Sequence, residues 1–276
     1  MNGPSIKMRN VILKLTGSTL IRKTVKALRL HRLANQWLRW VPVENTLPES
    51  GIRYRARRVE SLALSAEMFD QGLLYTSSCL PESVSSFADL GCNVGYFTCW
   101  LCDRMKSTEL KGLMVDANGE AVDDARWHVQ VNRLNNVRVL EGIVGADQNS
   151  EHASFFIHVS NVCSTTLPPD GSSRDSSTWT KIQAPCVRVE EAWLQSFGDT
   201  TCDLLKIDVE GSEMDFFRNE GVFLNRVQTI LVEWHKWRVS RNELEAQLSG
   251  NGFCLESILH EDAELGTAVF CRKAAI

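Results

Sequence analysis

The sequence predicts an α/β fold built on a doubly wound, mostly parallel sheet, and three features predict it. From Val84 onward, apolar segments of strand length alternate with helix-patterned ones, the order that covers both faces of a parallel sheet with helices. The last two strand segments are separated only by residues 260–266, too few for a helical crossover, so they pair antiparallel. A glycine-punctuated bend, Asp89-Leu90-Gly91-Cys92-Asn93-Val94-Gly95, joins the first of these strands to the first of these helices.

In chain order, strands are expected over 86–90, 112–115, 137–142, 204–207, 228–233, 253–259 and 267–271. Helices are expected over 94–105, 121–133, 212–218 and 241–248. Residues 160–181, rich in Ser, Thr, Pro and Gly, read as a long loop of the kind that often covers a binding site. Ahead of this series, 51–64 shows the partial alternation of a short strand or hairpin, and 66–75 reads as a helix or helical turn. The division expected is an N-terminal basic helical cap over 1–78 and the main domain over 79–276.

Charge sets the cap apart. Residues 1–43 hold nine Lys or Arg and no acid, so a chain of net charge −4 carries −13 over its remainder. Between Ser18 and Trp40 apolar residues recur at helical spacing (Ile21, Val25, Leu28, then Leu33, Trp37, Trp40), with Arg22, Lys26 and Arg29 on another face. Such a helix either packs on its own acidic domain or is attracted to an acidic membrane surface, an acidic carrier protein or an anionic substrate. Nucleic acid is not an expected partner, because the acidic body would repel phosphate. With 43% apolar and 23% charged residues, disordered and collagen-like chains are excluded. The N-terminus lacks the pattern of a secretory signal, and no apolar run reaches the roughly 20 residues of a spanning helix, so a cytoplasmic protein is expected. Nine cysteines, an odd number without framework spacing, suit reduced thiols, and Cys99-x-x-Cys102 has no second pair at zinc spacing.

The bend carries the chemistry. Gly91 permits a sharp turn, Asn93 tolerates left-handed backbone, and Gly95 lets the helix start lie close to the strand. The loop and helix amides are then expected to face an anionic ligand group. The second strand ends Leu113-Met114-Val115-Asp116-Ala117-Asn118, with its acid 21 positions beyond Gly95. An Asp there accepts hydrogen bonds from the hydroxyls of a ribose, unless it merely caps the next helix. The bend has an Asp before its first glycine and no G-x-G-x-x-G, which favours an adenosine cofactor with an amino-acid tail over a dinucleotide. Asp89 is then placed to hold that tail's ammonium, directly or through the loop.

The fourth strand ends at Asp208 over the carboxyl edge of the sheet, where open α/β folds bind ligands. Glu210 follows, Gly211 permits a tight turn, and Ser212 with Asp215 has capping-box spacing. Lys206, inside an apolar strand, has to pair if buried. The fifth strand ends Leu231-Val232-Glu233-Trp234-His235, and its period of two puts Glu233 and His235 on one side, within reach of Asp208. His titrates nearest neutral pH and suits general-base work. The same group could instead hold a divalent cation; no metal is the expectation adopted.

Two segments, Phe87 through Thr98 and Leu204 through Glu213, resemble the signatures of the FkbM family of S-adenosyl-L-methionine-dependent methyltransferases, and the resemblance extends over roughly residues 79–272. The Lys206-Ile207-Asp208-Val209-Glu210-Gly211 run is its more specific part; Cys92 departs from the alanine common there. The resemblance implies a class I methyltransferase fold, Rossmann-like, with an antiparallel C-terminal strand. It further implies S-adenosyl-L-methionine as cofactor and methylation of a hydroxyl on a small molecule, sugar, polyketide or lipid-linked acceptor. On that reading Asp89, Gly91, Asn93, Gly95, Asp116, Ala117 and Asp208 bind the cofactor, and His235 is the base, with Asp208 or Glu233 orienting it. The rival reading from another class is a non-catalytic adaptor of the same fold, docking through its basic helix.

Overall fold

The structure, a computed structural model, describes residues 30–69, 80–147, 149–158, 164–166 and 179–273 of the 276-residue chain. Of the helix expected over 18–40, the described part is α1 (Leu30–Trp40). It is followed by β1 (Val43–Thr46), β2 (Arg53–Ala56) and α2 (Val59–Phe69). β1 and β2 pair antiparallel with Val43 opposite Ala56, so of the strand or hairpin expected over 51–64 only Arg53–Ala56 is strand, one arm of a hairpin, and 59–64 belong to α2 instead. Leu38 of α1 packs with Val43, Ala56 and Leu62. The side chain of Asn35 caps the start of α2 by accepting from Val59 N at 2.8 Å. The part of 66–75 beyond Phe69 lies outside the described residues.

The main sheet contains β3 (Ser86–Leu90), β4 (Lys111–Asp116), β5 (Val137–Glu141), β8 (Cys202–Ile207), β9 (Val227–His235), β10 (Phe253–Glu261) and β11 (Leu265–Arg272). Helices α3 (Tyr96–Met105), α4 (Gly119–Val131), α5 (Val189–Phe197), α6 (Glu213–Asn219), α7 (Gly221–Leu224) and α8 (Arg241–Gly250) flank it. The sheet order is β10-β11-β9-β8-β3-β4-β5. β3 pairs parallel to both β4 and β8, β8 is parallel to β9, and β11 runs antiparallel between β9 and β10. Every expected strand of this sheet is present: β3 keeps its expected bounds, β5 falls one residue short, and the others reach a residue or two beyond theirs.

The order reverses at β3, which places a crevice over the carboxyl ends of β3 and β8. All five residues of β3 are buried. Two apolar clusters cover the faces: Leu90, Leu205, Phe216 and Trp234 belong to one, and Phe87, Tyr96, Met114 and Leu231 to the other.

The cap hairpin is tied to this second face. Tyr54 packs with Tyr96, whose hydroxyl donates to Arg55 O at 2.7 Å. Buried His128 accepts from Arg55 N at 2.9 Å and meets Val94 O at 2.7 Å, a pairing that suits a neutral ring donating from Nδ1. Burial pushes its pKa down to about 4, in keeping with that state.

One further hairpin lies off the main sheet, β6 (His152–His158) with β7 (Trp179–Pro185), paired antiparallel. This corrects the expectation of a continuous loop over 160–181, since 179–181 are strand; of the rest, only 164–166 are described, and Thr165 pairs with Phe156. α5 is likewise absent from the helices that the sequence pattern predicts. Ser212 does not cap α6 as its spacing suggested: its side chain makes no cap bond and instead meets the Thr166 hydroxyl at 2.5 Å. The C-cap of α4 is Asn132, whose side chain donates to His128 O at 2.9 Å. Among the described residues no helix is long and apolar enough to cross a membrane.

Candidate active site

Backbone geometry builds the first wall of the site. Gly91 (φ 71°) and Asn93 (φ 48°) take left-handed conformations directly after β3. A Cβ on Gly91 would stand 1.7 Å from the carbonyl oxygen of Asp208, so the bend touches the end of β8 backbone to backbone. Gly95 does not reach the crevice; a Cβ there would meet Met114 at 2.8 Å and Ala125 at 3.3 Å, and its absence seats α3.

The bend's amides point into the protein. Gly91 N and Cys92 N donate to Val115 O at 2.9 and 3.0 Å, and Asn93 N donates to Asp116 Oδ2 at 2.8 Å. Of the loop and helix amides expected to face an anionic ligand group, these three are already taken within the protein.

Asp116 ends β4 and is pinned from both sides, since Oδ1 also accepts from Asn118 N at 2.8 Å. The cap of α4 is Asn118, whose side chain accepts from Glu120 N, so helix capping does not account for Asp116. Burial pushes the Asp116 pKa up to about 6, against the two backbone amides that favour the carboxylate. Each oxygen keeps acceptor capacity beyond its one amide.

Asp89 is fully buried beneath the bend. Its Oδ2 accepts from the Thr98 hydroxyl at 3.0 Å, and Oδ1 lies 3.6 Å from Lys206 Nζ. Lys206 pairs as its burial requires: Nζ donates to Gly91 O at 2.8 Å and sits 3.5 Å from Asp208 Oδ2. Lys206 thus bridges β3, the bend and the end of β8; Asp89 does not line the crevice and approaches its edge through that bridge.

A cavity of ≈ 1290 Å³ opens over these strand ends. Gly91, Asn93, Asp116 and Ala117 line it, as do Asp208, Glu210, Glu233 and His235. Asp208 Oδ1 is a buried oxygen with no hydrogen-bond partner among the described residues. Ala117, Ile143 and Phe155 form an apolar patch on the β4 side, where Phe155 belongs to β6. An adenosine ligand with a cationic tail fits this set: a carboxylate with spare acceptors, an apolar wall beside it, and an orphaned carboxylate oxygen across the bend.

Sequence alone did not show how His235 is held. Its Nδ1 lies 3.0 Å from Oε1 of fully buried Glu213, and its Nε2 lies 3.1 Å from Glu210 Oε2. Burial acts to lower the His235 pKa, but the hydrogen bonds to Glu210 and Glu213 outweigh it and raise it to about 11. Glu213 Oε1 also accepts from Gly211 N at 3.0 Å, and Glu210 takes a left-handed φ of 51°. Thr165, beside β6, donates to Glu210 O at 2.9 Å and secures that strained turn. Glu233 accepts from the Thr267 hydroxyl at 3.4 Å, and its pKa is raised to about 8, first by burial and then by the Asp208 charge.

Ligating atoms of Asp208, Glu233 and His235 lie within 4.8 Å of one another, a spacing that admits a divalent cation. A cation there has to take Nε2 from Glu210 and share Asp208 with Lys206. Of the two tryptophans beside His235, Trp237 lines the crevice and covers Gly211, while Trp234 is wholly buried in the core on the opposite face of β9. Cys99 and Cys102 are buried thiols whose pKa values burial raises, Cys102 to about 12.

A seven-stranded sheet in this order, with one reversed strand and its crevice at the switch point, defines the class I methyltransferase fold. Residues 93–259, more than half of the chain, match the Methyltransferase FkbM domain. The chain belongs to the FkbM methyltransferase family. No curated protein sequence matches it. Among solved structures, it is similar to methyltransferase FkbM from Methylobacillus flagellatus, at 14% identity and TM-score 0.44, over 75% of this chain and 47% of that one. It is similar to M. jannaschii TYW2 in complex with AdoMet, at 14% identity and TM-score 0.42, over 84% and 87% of the two chains. The complex of M. capricolum TrmK with S-adenosyl-homocysteine matches at 11% identity and TM-score 0.41, over 69% of this chain and 62% of that one. This chain therefore spans less than two thirds of the length of two of these three structures.

Proposed function

We propose that this chain is an S-adenosyl-L-methionine-dependent methyltransferase acting on a hydroxyl of a small molecule, a sugar or a lipid-linked acceptor. The observation that carries the reading is the single cavity joining Asp116 and the Gly91–Asn93 bend to the Asp208–Glu233–His235 group. The cofactor, when bound, supplies an electrophilic methyl on a sulfonium.

Asp116 accepts from the ribose hydroxyls, and Ala117, Ile143 and Phe155 offer an apolar wall to the base. Asp208 Oδ1 takes a cationic donor from the amino-acid tail. Asn93 and Gly91 shape the bend, Gly95 seats the helix behind it, and Asp89 holds Lys206 beneath it. Holding the acceptor in line is the largest source of rate available to such a site, worth up to about 7–11 kcal/mol in favourable intramolecular cases.

The acceptor's proton needs a base with a free lone pair. His235 lacks one, since both ring nitrogens face carboxylates at hydrogen-bond distance. The role expected of it passes to Glu233, and His235 becomes the positioning residue that holds Glu210 at the crevice. A carboxylate whose pKa burial raises toward neutrality is a stronger base than an exposed one. The reading employs no metal.

Transfer of labelled methyl from the cofactor into fractionated metabolites and lipids tests the assignment. The expected product is an ether stable to mild alkali; label recovered only as alkali-labile ester or as methylamine would contradict hydroxyl methylation. Label in no fraction, with cofactor bound, would favour the adaptor reading.

A further inference from the structure

The outer face of α1 is a stripe for which the catalytic reading has no use. Leu33, Trp37 and Trp40 lie at positions i, i+4 and i+7, and Val41 follows just past the helix end. Their exposures are 62%, 44%, 82% and 49%, among the highest of the large apolar residues described. The opposite face is occupied: Leu38 is buried and Asn35 caps α2. Among the described residues, the stripe is therefore surplus to the packing of α1.

Charge identifies its occupant. Residues 1–29, which lead directly into α1, carry seven Lys or Arg and no acid, whereas the chain beyond residue 43 is net −13. An anionic surface attracts this end and repels the rest, so the charge asymmetry alone orients the protein. A second copy of the chain would bring two such basic segments together, which disfavours self-association through the stripe. Tryptophan beside leucine next to basic residues is the composition of a helix lying at a lipid–water interface.

We propose that α1 with the basic segment before it docks the protein on an anionic lipid surface, the apolar stripe entering the interface and the Lys and Arg residues meeting the headgroups. α1 packs on α2, and Leu64, Glu67 and Met68 of α2 line the crevice, so docking brings the mouth of the site near the membrane. Resting on the function proposed above, this narrows the acceptor to a hydroxyl carried on a lipid or presented at its surface. Docking itself does not depend on that reading.

Flotation of the full chain with vesicles tests it. Phosphatidylcholine vesicles containing about 30% phosphatidylglycerol should carry the protein upward at ~0.15 M salt, where the Debye length is about 8 Å. Neutral phosphatidylcholine vesicles should carry at least ~10-fold less, and raising salt to ~1 M, where that length falls to about 3 Å, should release it. Leu33→Ser/Trp40→Ser should lower binding at least ~10-fold with the melting temperature unchanged, because both side chains are already in water. If that variant fails to fold, Arg22→Glu/Lys23→Glu/Lys26→Glu serves instead, with the same expected loss.

No flotation with anionic vesicles, equal flotation with neutral ones, or undiminished binding by a folded variant would overturn the proposal. So would a dimer in sedimentation equilibrium that the stripe variant dissolves, or binding to polyglutamate without flotation, the sign of an acidic protein partner. Methyl transfer to a water-soluble hydroxyl together with flotation would uphold docking while removing the lipid-linked acceptor.

Discussion

Glu213, fully buried, holds Nδ1 of His235 at 3.0 Å, and Glu210 meets the other ring nitrogen at 3.1 Å. An imidazole between two carboxylates is stable as the imidazolium, and its pKa is raised to about 11 against a usual value near 6.5. Folded His235 therefore holds its proton where unfolded His235 loses it. The stability this contributes is complete below about pH 6.5 and disappears as pH climbs toward 11. In NMR titration the ring should stay protonated through pH 8, and the unfolding free energy should decline from neutral to alkaline pH. His235→Gln should flatten that decline; a ring that titrates near pH 6.5 in the folded protein contradicts the arrangement.

Glu233 should control the rate without controlling cofactor affinity. Its carboxyl has to be ionised to accept a proton, and its pKa is raised to about 8, so turnover should rise with pH through that region. Glu233→Gln should lower kcat by about 10²–10⁴-fold while leaving S-adenosylhomocysteine affinity within a factor of two or so. Wild-type turnover should be unchanged in EDTA. A metal requirement, or full activity in Glu233→Gln, would remove Glu233 from the proton's path.

Gly91 and Gly51 make a matched comparison. Both have left-handed φ, 71° and 77°, but a Cβ at Gly51 meets nothing within 4 Å, while one at Gly91 meets Asp208 O at 1.7 Å. Gly51→Ala should cost only the backbone term, about 1–2 kcal/mol. Gly91→Ala should add the cost of forcing atoms into a filled space, about 1–3 kcal/mol more. Urea unfolding of the two variants measures the difference, and equal costs would show that the bend and the end of β8 are not in contact.

Sequence alone revealed the main sheet because β3 and β8 are sheltered on both faces and so read as mainly apolar segments followed by glycine or acid. The bend was visible for a related reason: Gly91, Asn93 and Gly95 stand where left-handed backbone is needed, and few residues tolerate it. Among the elements that escaped are β6, β7 and α5. In β6 and β7 only Phe155 and Ala184 are buried, too few to print an alternation. In α5 only Val189 and Trp193 are buried, and two acids fill its first turn.

The site was half legible. Period-two spacing brought Glu233 and His235 to one side, and both line the crevice with Asp208. Glu213 was hidden because its partner lies 22 residues away in sequence. A serine-flanked acid two residues past a left-handed glycine is the one signal that could have marked it. The inward turn of the bend's amides was equally hidden, since it depends on Val115 O and Asp116 one strand over.

Titration calorimetry with S-adenosylhomocysteine, on the wild-type chain and on Asp116→Ala, tests most directly whether this crevice is a cofactor site anchored at β4. One molecule should bind per chain, with an affinity at least ~10-fold lower in the variant, the loss of one or more hydrogen bonds to a carboxylate worth about 1.5–3 kcal/mol each. No heat of binding to the wild-type chain, or an affinity that Asp116→Ala leaves unchanged, would contradict it.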